Sequence, residues 1–238
     1  MMGHTHALSG AAVWFAAVPV IGALDVPLRV PDIAAGAIIC SGAALLPDLD
    51  HPSATIAHTY GFITHALSRA VNAISGGHRH ATHSFFFVLL AAGVTEGMAQ
   101  LSPAAVQVFC ALLIGIGLRG LGIGVRGPRI GWGGVVNLML NAGLLGAFAL
   151  LNVQYEWIGI AVGLGCLMHL VGDCITTEGC PLLWPWTARF SVPFVPSTGG
   201  RVERWLVTPL LLAAIGLLAF RAVGPIPTQT LASWWAPR

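Results

Sequence analysis

About seven stretches of this chain are apolar over a length that approaches or reaches the roughly 30 Å of a bilayer's hydrocarbon core. They cover residues 7–24, 33–46, 85–101, 104–118, 135–151, 157–171 and 206–223. A backbone in lipid must satisfy its own polar groups, so runs of this kind are read as helices. The second run is short and reads as tilted, or as completed at its ends by Pro31-Asp32 and Pro47. The sixth is also short unless His169 and Asp173 lie within it. With 56% hydrophobic and only 8% charged residues, a soluble fold is disfavoured. The expected architecture is all-α: a polytopic integral membrane helical bundle of six to seven spans, one domain over residues 1–224, and a tail at 225–238.

The first apolar run starts almost at residue 1, with no basic segment before it and no small-residue cleavage site after it. It reads as a retained helix and not a secretory signal. Arginine supplies all the basic charge, and the net charge of +2 gives no basis for nucleic-acid binding. Five cysteines show no C-x-x-C spacing, and three of them fall inside apolar runs, where a thiol acts as a small hydrophobe. No disulfide is expected, Cys174–Cys180 being the one conceivable pair.

Arginine also orients the chain. With the N-terminus cytoplasmic, the inner loops hold Arg69, Arg79, Arg119, Arg126, Arg129, Arg189, Arg201 and Arg204, against Arg29, Arg221 and Arg238 outside. The same alternation brings four groups of His and Asp residues to the cytoplasmic face. They stand at the start of the first run (His6), the end of the second (Asp48 to His51), the start of the third (His78 to His83) and the end of the sixth (His169 to Asp173). Between the second and third runs, Ile56, Phe62, Ile63, Leu67, Val71 and Ile74 recur at helical spacing. His58, His65, Arg69 and Asn72 occupy much of the opposite face. That pattern predicts a helix lying in the membrane interface within residues 47–84, ended by Gly76-Gly77. Residues 119–134 read as a loop, and the Pro- and Trp-rich residues 172–205 as an ordered interfacial loop. The tail, with Trp234-Trp235, reads as an interfacial end segment.

Ionisable groups at membrane depth are costly and mark function by default. His169 and Asp173 are i and i+4 on a helix, so both can reach one ion. Asp48, Asp50 and His51 offer three ligand-type groups between Pro47 and Pro52, which end the helix and stiffen the turn. In G-H-R-H-A-T-H-S, Thr82 or Ser84 is placed to cap the next helix, and Arg79 carries a donor fork suited to phosphate or carboxylate. His6 completes the set from the first helix. The expected metal ligands are His6, Asp48, His51, His83, His169 and Asp173. Arg79, His78 and Asp50 are assigned to the chemistry, with His78 or His80 as proton donor to the leaving group. His and Asp without thiolate favour zinc, with manganese second, as one or two ions. Glu96, far along its run from His83, reads as a buried helix–helix contact or as the outer end of the helix.

The blocks L-L-P-D-L-D-H-P at 45–52, G-H-R-H-A-T-H-S at 77–84 and H-L-V-G-D-C-I-T-T-E-G-C-P-L-L-W-P at 169–185, with an N-terminal Thr5-His6, resemble the bacterial membrane-bound metal-dependent hydrolases. This is the YdjM-like group that includes LexA-regulated inner-membrane proteins. The resemblance covers roughly residues 4–186. It implies a multi-pass protein of the bacterial inner membrane, metal-dependent hydrolysis, and functional positions at His6, Asp48, Asp50, His51, His78, Arg79, His83, His169 and Asp173. The group commonly has Gly and then an apolar residue after the His-Arg pair, where this chain has His80-Ala81, so His80 is an addition to the pattern.

These features predict hydrolysis of a lipid-linked or membrane-proximal ester, with a phosphoester favoured by Arg79 and the helix start beside it. The partners are then the bilayer and a phosphorylated lipid or membrane-proximal substrate. A divalent-cation transporter would need polar groups continuing down the bundle, where the runs offer little beyond Asn137, Asn141 and Glu96. A scaffold with a structural metal is the third reading.

Overall fold

A computed structural model describes residues 1–124 and 132–224. The described residues form eight α-helices: α1 (Gly3–Ala23), α2 (Val30–Ala43), α3 (Phe62–Ser75), α4 (Phe85–Leu101), α5 (Pro103–Gly120), α6 (Trp132–Leu150), α7 (Ile158–Cys174) and α8 (Thr208–Val223). There is no strand among them, only isolated bridges joining Thr176 to Val195 and Cys180 to Phe190. The fold is all-α, and every apolar run within the described residues corresponds to a helix. The tail and the arginines Arg126 and Arg129 lie outside the described residues.

The two short runs are lengthened as the sequence allowed. α2 begins at Val30 with Pro31 in its first turn, and a 3-10 turn at Pro47–Asp50 continues it into an apolar segment of 21 residues, Val30–Asp50. α7 includes both His169 and Asp173. Serines start the middle helices: Ser84 Oγ accepts the Phe87 N–H, and Ser102 Oγ accepts the Ala105 N–H ahead of Pro103. Each takes up a backbone donor that the first turn cannot pair.

α2 is the central post, packed against α1, α5 and α7, while α4 lies against α7 and α8 against α1. The close approach rests on missing side chains. A Cβ on Gly42 would collide with the Leu113 carbonyl of α5, and one on Gly165 of α7 would stand 2.6 Å from the Cys40 carbonyl. Small residues let helix backbones meet where lipid offers no hydrophobic drive to association. No residue of α8 is buried, although the helix is almost wholly apolar, so its surface is one for lipid and not water.

α3 is built inside out. Thr64, Ser68 and Ser75 are buried, whereas Phe62, Ile63 and Ile74 are among its most exposed residues, and its polar face turns to the protein. It ends at Gly76, whose φ of 85° is left-handed, with the Gly77 N–H closing on the Asn72 carbonyl at 2.9 Å. A helix thus stands between the second and third runs, where the spacing predicts one, with its apolar face outward. The 172–205 segment is pinned beneath α7, with Val192 N–H on the Cys174 carbonyl (2.7 Å) and Val195 N–H on that of Ile175 (2.8 Å). It presents Trp186, Phe190 and Phe194 outward.

Candidate metal centre

Asp50 is fully buried and organises the turn that follows α3. Its carboxylate accepts the Arg79 backbone N–H (3.0 Å) and the Thr82 hydroxyl, and lies 2.7 Å from His78 Nδ1 and 3.3 Å from His83 Nδ1. Arg79 holds a left-handed φ of 59°, uncommon for a residue with a side chain, at the point where its N–H meets Asp50. The single Thr82 hydroxyl hydrogen goes to Asp50, so the oxygen, 3.1 Å from His83 Nδ1, accepts from that ring. His83 therefore carries its proton on Nδ1. On α7, His169 Nδ1 lies 2.7 Å from the Ala44 carbonyl, which can only accept, so His169 too is protonated on Nδ1.

Both rings then turn a bare Nε2 to the same point. The two nitrogens are 3.2 Å apart, and neither neutral ring has a hydrogen to place between them. Two carboxylate oxygens join them. Asp48 Oδ1 lies 3.7 Å from His83 Nε2 and 3.6 Å from His169 Nε2, and Asp173 Oδ2 lies 3.6 and 3.7 Å from the same atoms. Donors about 2.1 Å from a tetrahedral zinc stand roughly 3.4 Å from one another. The nitrogen–nitrogen distance and the four nitrogen–oxygen distances, 3.2–3.7 Å, are of that order, and the donors are imidazole and carboxylate. Asp173 Oδ2 is buried and faces the Arg79 guanidinium, whose Nη2 stands 3.0 Å away, so the test of fit rests on the chemistry of the donor set, two imidazole nitrogens and two carboxylate oxygens. Orientation of a ligating imidazole by a hydrogen bond at its other nitrogen is the usual outer shell of a metal site.

Without a cation a proton must fill the gap. Burial lowers the basicity of His83, but its hydrogen bonds and charge interactions with Asp48 and Asp50 outweigh that and raise its pKa to about 9.

Two further imidazoles flank the cage. His6 stacks on His169 with ring centres 4.0 Å apart, lies 3.3 Å from Asp173 Oδ1 through Nε2, and keeps a buried Nδ1 without partner. His78 groups with Asp48 and His83, as His6 does with His169 and Asp173. The Met1 amino group also reaches Asp173 Oδ1, at 3.1 Å.

The geometry redistributes several expected roles. Asp50, expected to act in the chemistry, lies behind the imidazoles and positions them. Arg79 is engaged: its Nη1 donates to Glu178 (3.0 Å) and to the Gly179 carbonyl (3.3 Å), and its Nη2 faces Asp173. Only its Nε, buried and unpartnered, remains. His51, expected as a ligand, belongs to neither three-residue set. The 3-10 turn stops at Asp50, and extended backbone at His51 takes its ring to a neighbouring cavity, where Nδ1 meets the Ser53 hydroxyl at 2.9 Å. Ser84, and not Thr82, caps α4. His80 stands outside both sets. Glu96 packs beside Gly159 of α7.

Two contributors were not singled out from sequence. Glu178, in the T-T-E-G-C stretch, braces Arg79. Buried Glu203 accepts the Met2 N–H (2.6 Å) and the Gly199 N–H (2.7 Å), tying the start of α1, which carries His6, to the end of the 172–205 segment. A carboxylate at the edge of the last apolar run was the available signal.

The family described as YdjM inner membrane protein matches residues 1–123 and 135–235. The chain belongs to this family. It is 28% identical over 172 residues to the inner membrane protein YdjM of Escherichia coli (strain K12), and equally to that of Shigella flexneri, an alignment covering 72% of this chain and 60% of each relative. The match therefore spans less than two thirds of those relatives' length. It is also similar to an uncharacterized protein, ORF4′, of Methanothermobacter thermautotrophicus, at 35% identity over 91 residues, which is 37% of this chain and 39% of that one. No solved structure matches. Membership makes this an inner membrane protein.

Proposed function

We propose that the protein is a metal-dependent hydrolase of the inner membrane acting on a lipid-linked or membrane-proximal phosphoester, with a divalent ion, zinc first and manganese second, held by Asp48, His83, His169 and Asp173. The observation that carries the reading is the pair of opposed Nε2 atoms 3.2 Å apart, with a carboxylate oxygen of Asp48 and one of Asp173 each 3.6–3.7 Å from both. Carboxylates buried beside apolar helices are expensive unless a cation balances them. A divalent ion bound there supplies a Lewis acid and acidifies water to act as a nucleophile near neutral pH.

The chain's own residues set up the rest. Asp50 and Thr82 hold His83, and the Ala44 carbonyl holds His169, so both rings keep one tautomer. Arg79 braces Asp173 against Glu178 and offers its Nε to an anion. His78, a third exposed, is the imidazole placed to return a proton to a leaving oxygen. The two three-residue sets favour a second reading with two ions, one near His6 and one near His78. Stoichiometry separates them, one metal per chain against two. Transport is less well supported, because Asn141 is engaged: its amide donates to the Ala111 carbonyl (2.7 Å) and to the Tyr60 hydroxyl, tying α6 to α5.

The test is release of phosphate or head group from phospholipids and polyprenyl phosphates by purified, zinc-loaded protein. Activity should vanish on chelation and in Asp48→Ala and His169→Ala. Turnover that survives both substitutions, or a fully loaded protein that releases nothing while passing metal into liposomes, contradicts the reading.

A further inference from the structure

We propose that the cavity beneath α3 is a headgroup pocket that binds the phosphate of an anionic lipid and delivers it to the metal centre. The inference deepens the hydrolase reading and rests on it for the second half of that statement. The cavity has a volume of about 470 Å³ and is lined by His51, Pro52, Ser53, His58, His65, Asn72 and His78. Cavities of roughly 300–1,000 Å³ are of the size that holds small ligands.

The chemistry of the wall is one-sided. Four imidazoles, a carboxamide and a hydroxyl line it, and no carboxylate does. A neutral imidazole can donate one N–H, and the hydroxyl and carboxamide donate as well. Part of this capacity is already used: the Asn72 amide donates to the Asp50 carbonyl (2.6 Å), His78 Nδ1 faces the Asp50 carboxylate (2.7 Å) and Ser53 Oγ pairs with His51 Nδ1 (2.9 Å). The wall still offers imidazole and amide N–H groups to phosphate oxygens and no carboxylate to a cation. The rings are arranged in pairs, His58 stacked on His65 at 5.0 Å and His51 edge-on to His78 at 4.5 Å. Neither pair joins a third donor to form a metal-binding set outside the centre already described. His65 Nδ1 is buried without a hydrogen-bond partner, a deficit that a bound oxygen would relieve.

Position selects a lipid as the source of the phosphate. The wall contributed by His65 and Asn72 is the inner face of α3, whose outer face exposes Phe62, Ile63, Leu67 and Ile74. A lipid beside α3 can therefore leave its acyl chains against that surface while its head enters the cavity. At the other end stands His78, shared with the metal centre, its ring 5.2 Å from that of His83.

Delipidated full-length protein in neutral detergent is titrated with two probes, short-chain phosphatidic acid and inorganic phosphate, with metal content measured on the same samples. Phosphatidic acid should bind, and more tightly than inorganic phosphate. His58→Leu/His65→Leu should weaken it at least about tenfold, the loss expected for one or two hydrogen bonds. Ser53→Asp, at an exposed position, should do the same by placing a carboxylate in the wall. Both variants should retain wild-type metal, which also reports that they are folded. Equal binding of the two probes, still lost in the variants, supports a phosphate pocket but assigns it to free phosphate and removes the lipid half of the claim. Metal retained with phosphatidic acid unbound, or bound equally by wild type and both variants, overturns the proposal while leaving the hydrolase reading standing. Phosphatidic acid bound by a protein that never takes up metal supports the pocket and defeats the hydrolase reading instead.

Discussion

Asp48 and Asp50 are two residues apart and chemically identical, yet the structure gives them opposite tasks. In a 3-10 turn successive side chains point about a third of a revolution apart. Asp48 therefore reaches the cage, while Asp50 turns to the 78–83 segment and is sealed from solvent. Removing a cage ligand and removing its support should differ in degree. Asp48→Ala should abolish metal binding, whereas Asp50→Asn, which keeps the shape but loses the charge and part of the acceptor capacity, should weaken metal affinity by roughly 10–100-fold, as outer-shell substitutions commonly do. Competition with a chromogenic chelator measures both. His80→Ala should leave affinity and turnover at wild-type values, because the His80 side chain belongs to neither donor set and its carbonyl, which accepts the His83 N–H (3.0 Å), is kept in the variant. The D-x-D-H motif marked this turn as a candidate for ligand chemistry. It did not distinguish ligand from support, because that distinction depends on where the turn stops, and the extended backbone that removes His51 from the cage begins one residue after Asp50.

Helices were easier to read than the site, for a physical reason. An apolar run in this chain faces lipid or other helices, and both demand the same composition, so the runs mark helices whatever they pack against. The packing itself was less legible. Gly42 and Gly165 look in sequence like ordinary small residues of membrane helices, and only their closeness to the Leu113 and Cys40 carbonyls shows that they fix α2 against α5 and α7. Gly42→Ala and Gly165→Ala should each destabilise the bundle by about 1–3 kcal/mol through overpacking, seen as a lower thermal midpoint in detergent. For α3 the amphipathic period was visible, and so was its fit to an interface. The direction of each face follows from burial of Thr64, Ser68 and Ser75. A spin label on Ile74→Cys, in a protein whose five native cysteines are all buried, should be relaxed by lipid-soluble oxygen more than by a water-soluble nickel chelate. The reverse order would place that face in water.

At the scale of the molecule, four chain segments distant in sequence meet at one end of the bundle: the starts of α1 and α4 and the ends of α2 and α7. The alternation of spans anticipates that meeting, because a start and the end of the next helix lie on the same side. The arginine distribution predicts that this end faces the cytoplasm. A cysteine at Glu178, which is 69% exposed on the loop beside the centre, should react with a membrane-impermeant maleimide only after the inner membrane is permeabilised. Labelling of intact spheroplasts would reverse the orientation. The central claim, that Asp48, His83, His169 and Asp173 surround one ion, is tested most directly by X-ray absorption of zinc in the purified protein. One zinc per chain is expected, with a first shell of imidazole nitrogen and carboxylate oxygen at about 2.0–2.2 Å and no sulfur, lost in His83→Ala and His169→Ala. A sulfur shell near 2.3 Å, or a nitrogen and oxygen shell unchanged in both variants, would contradict it.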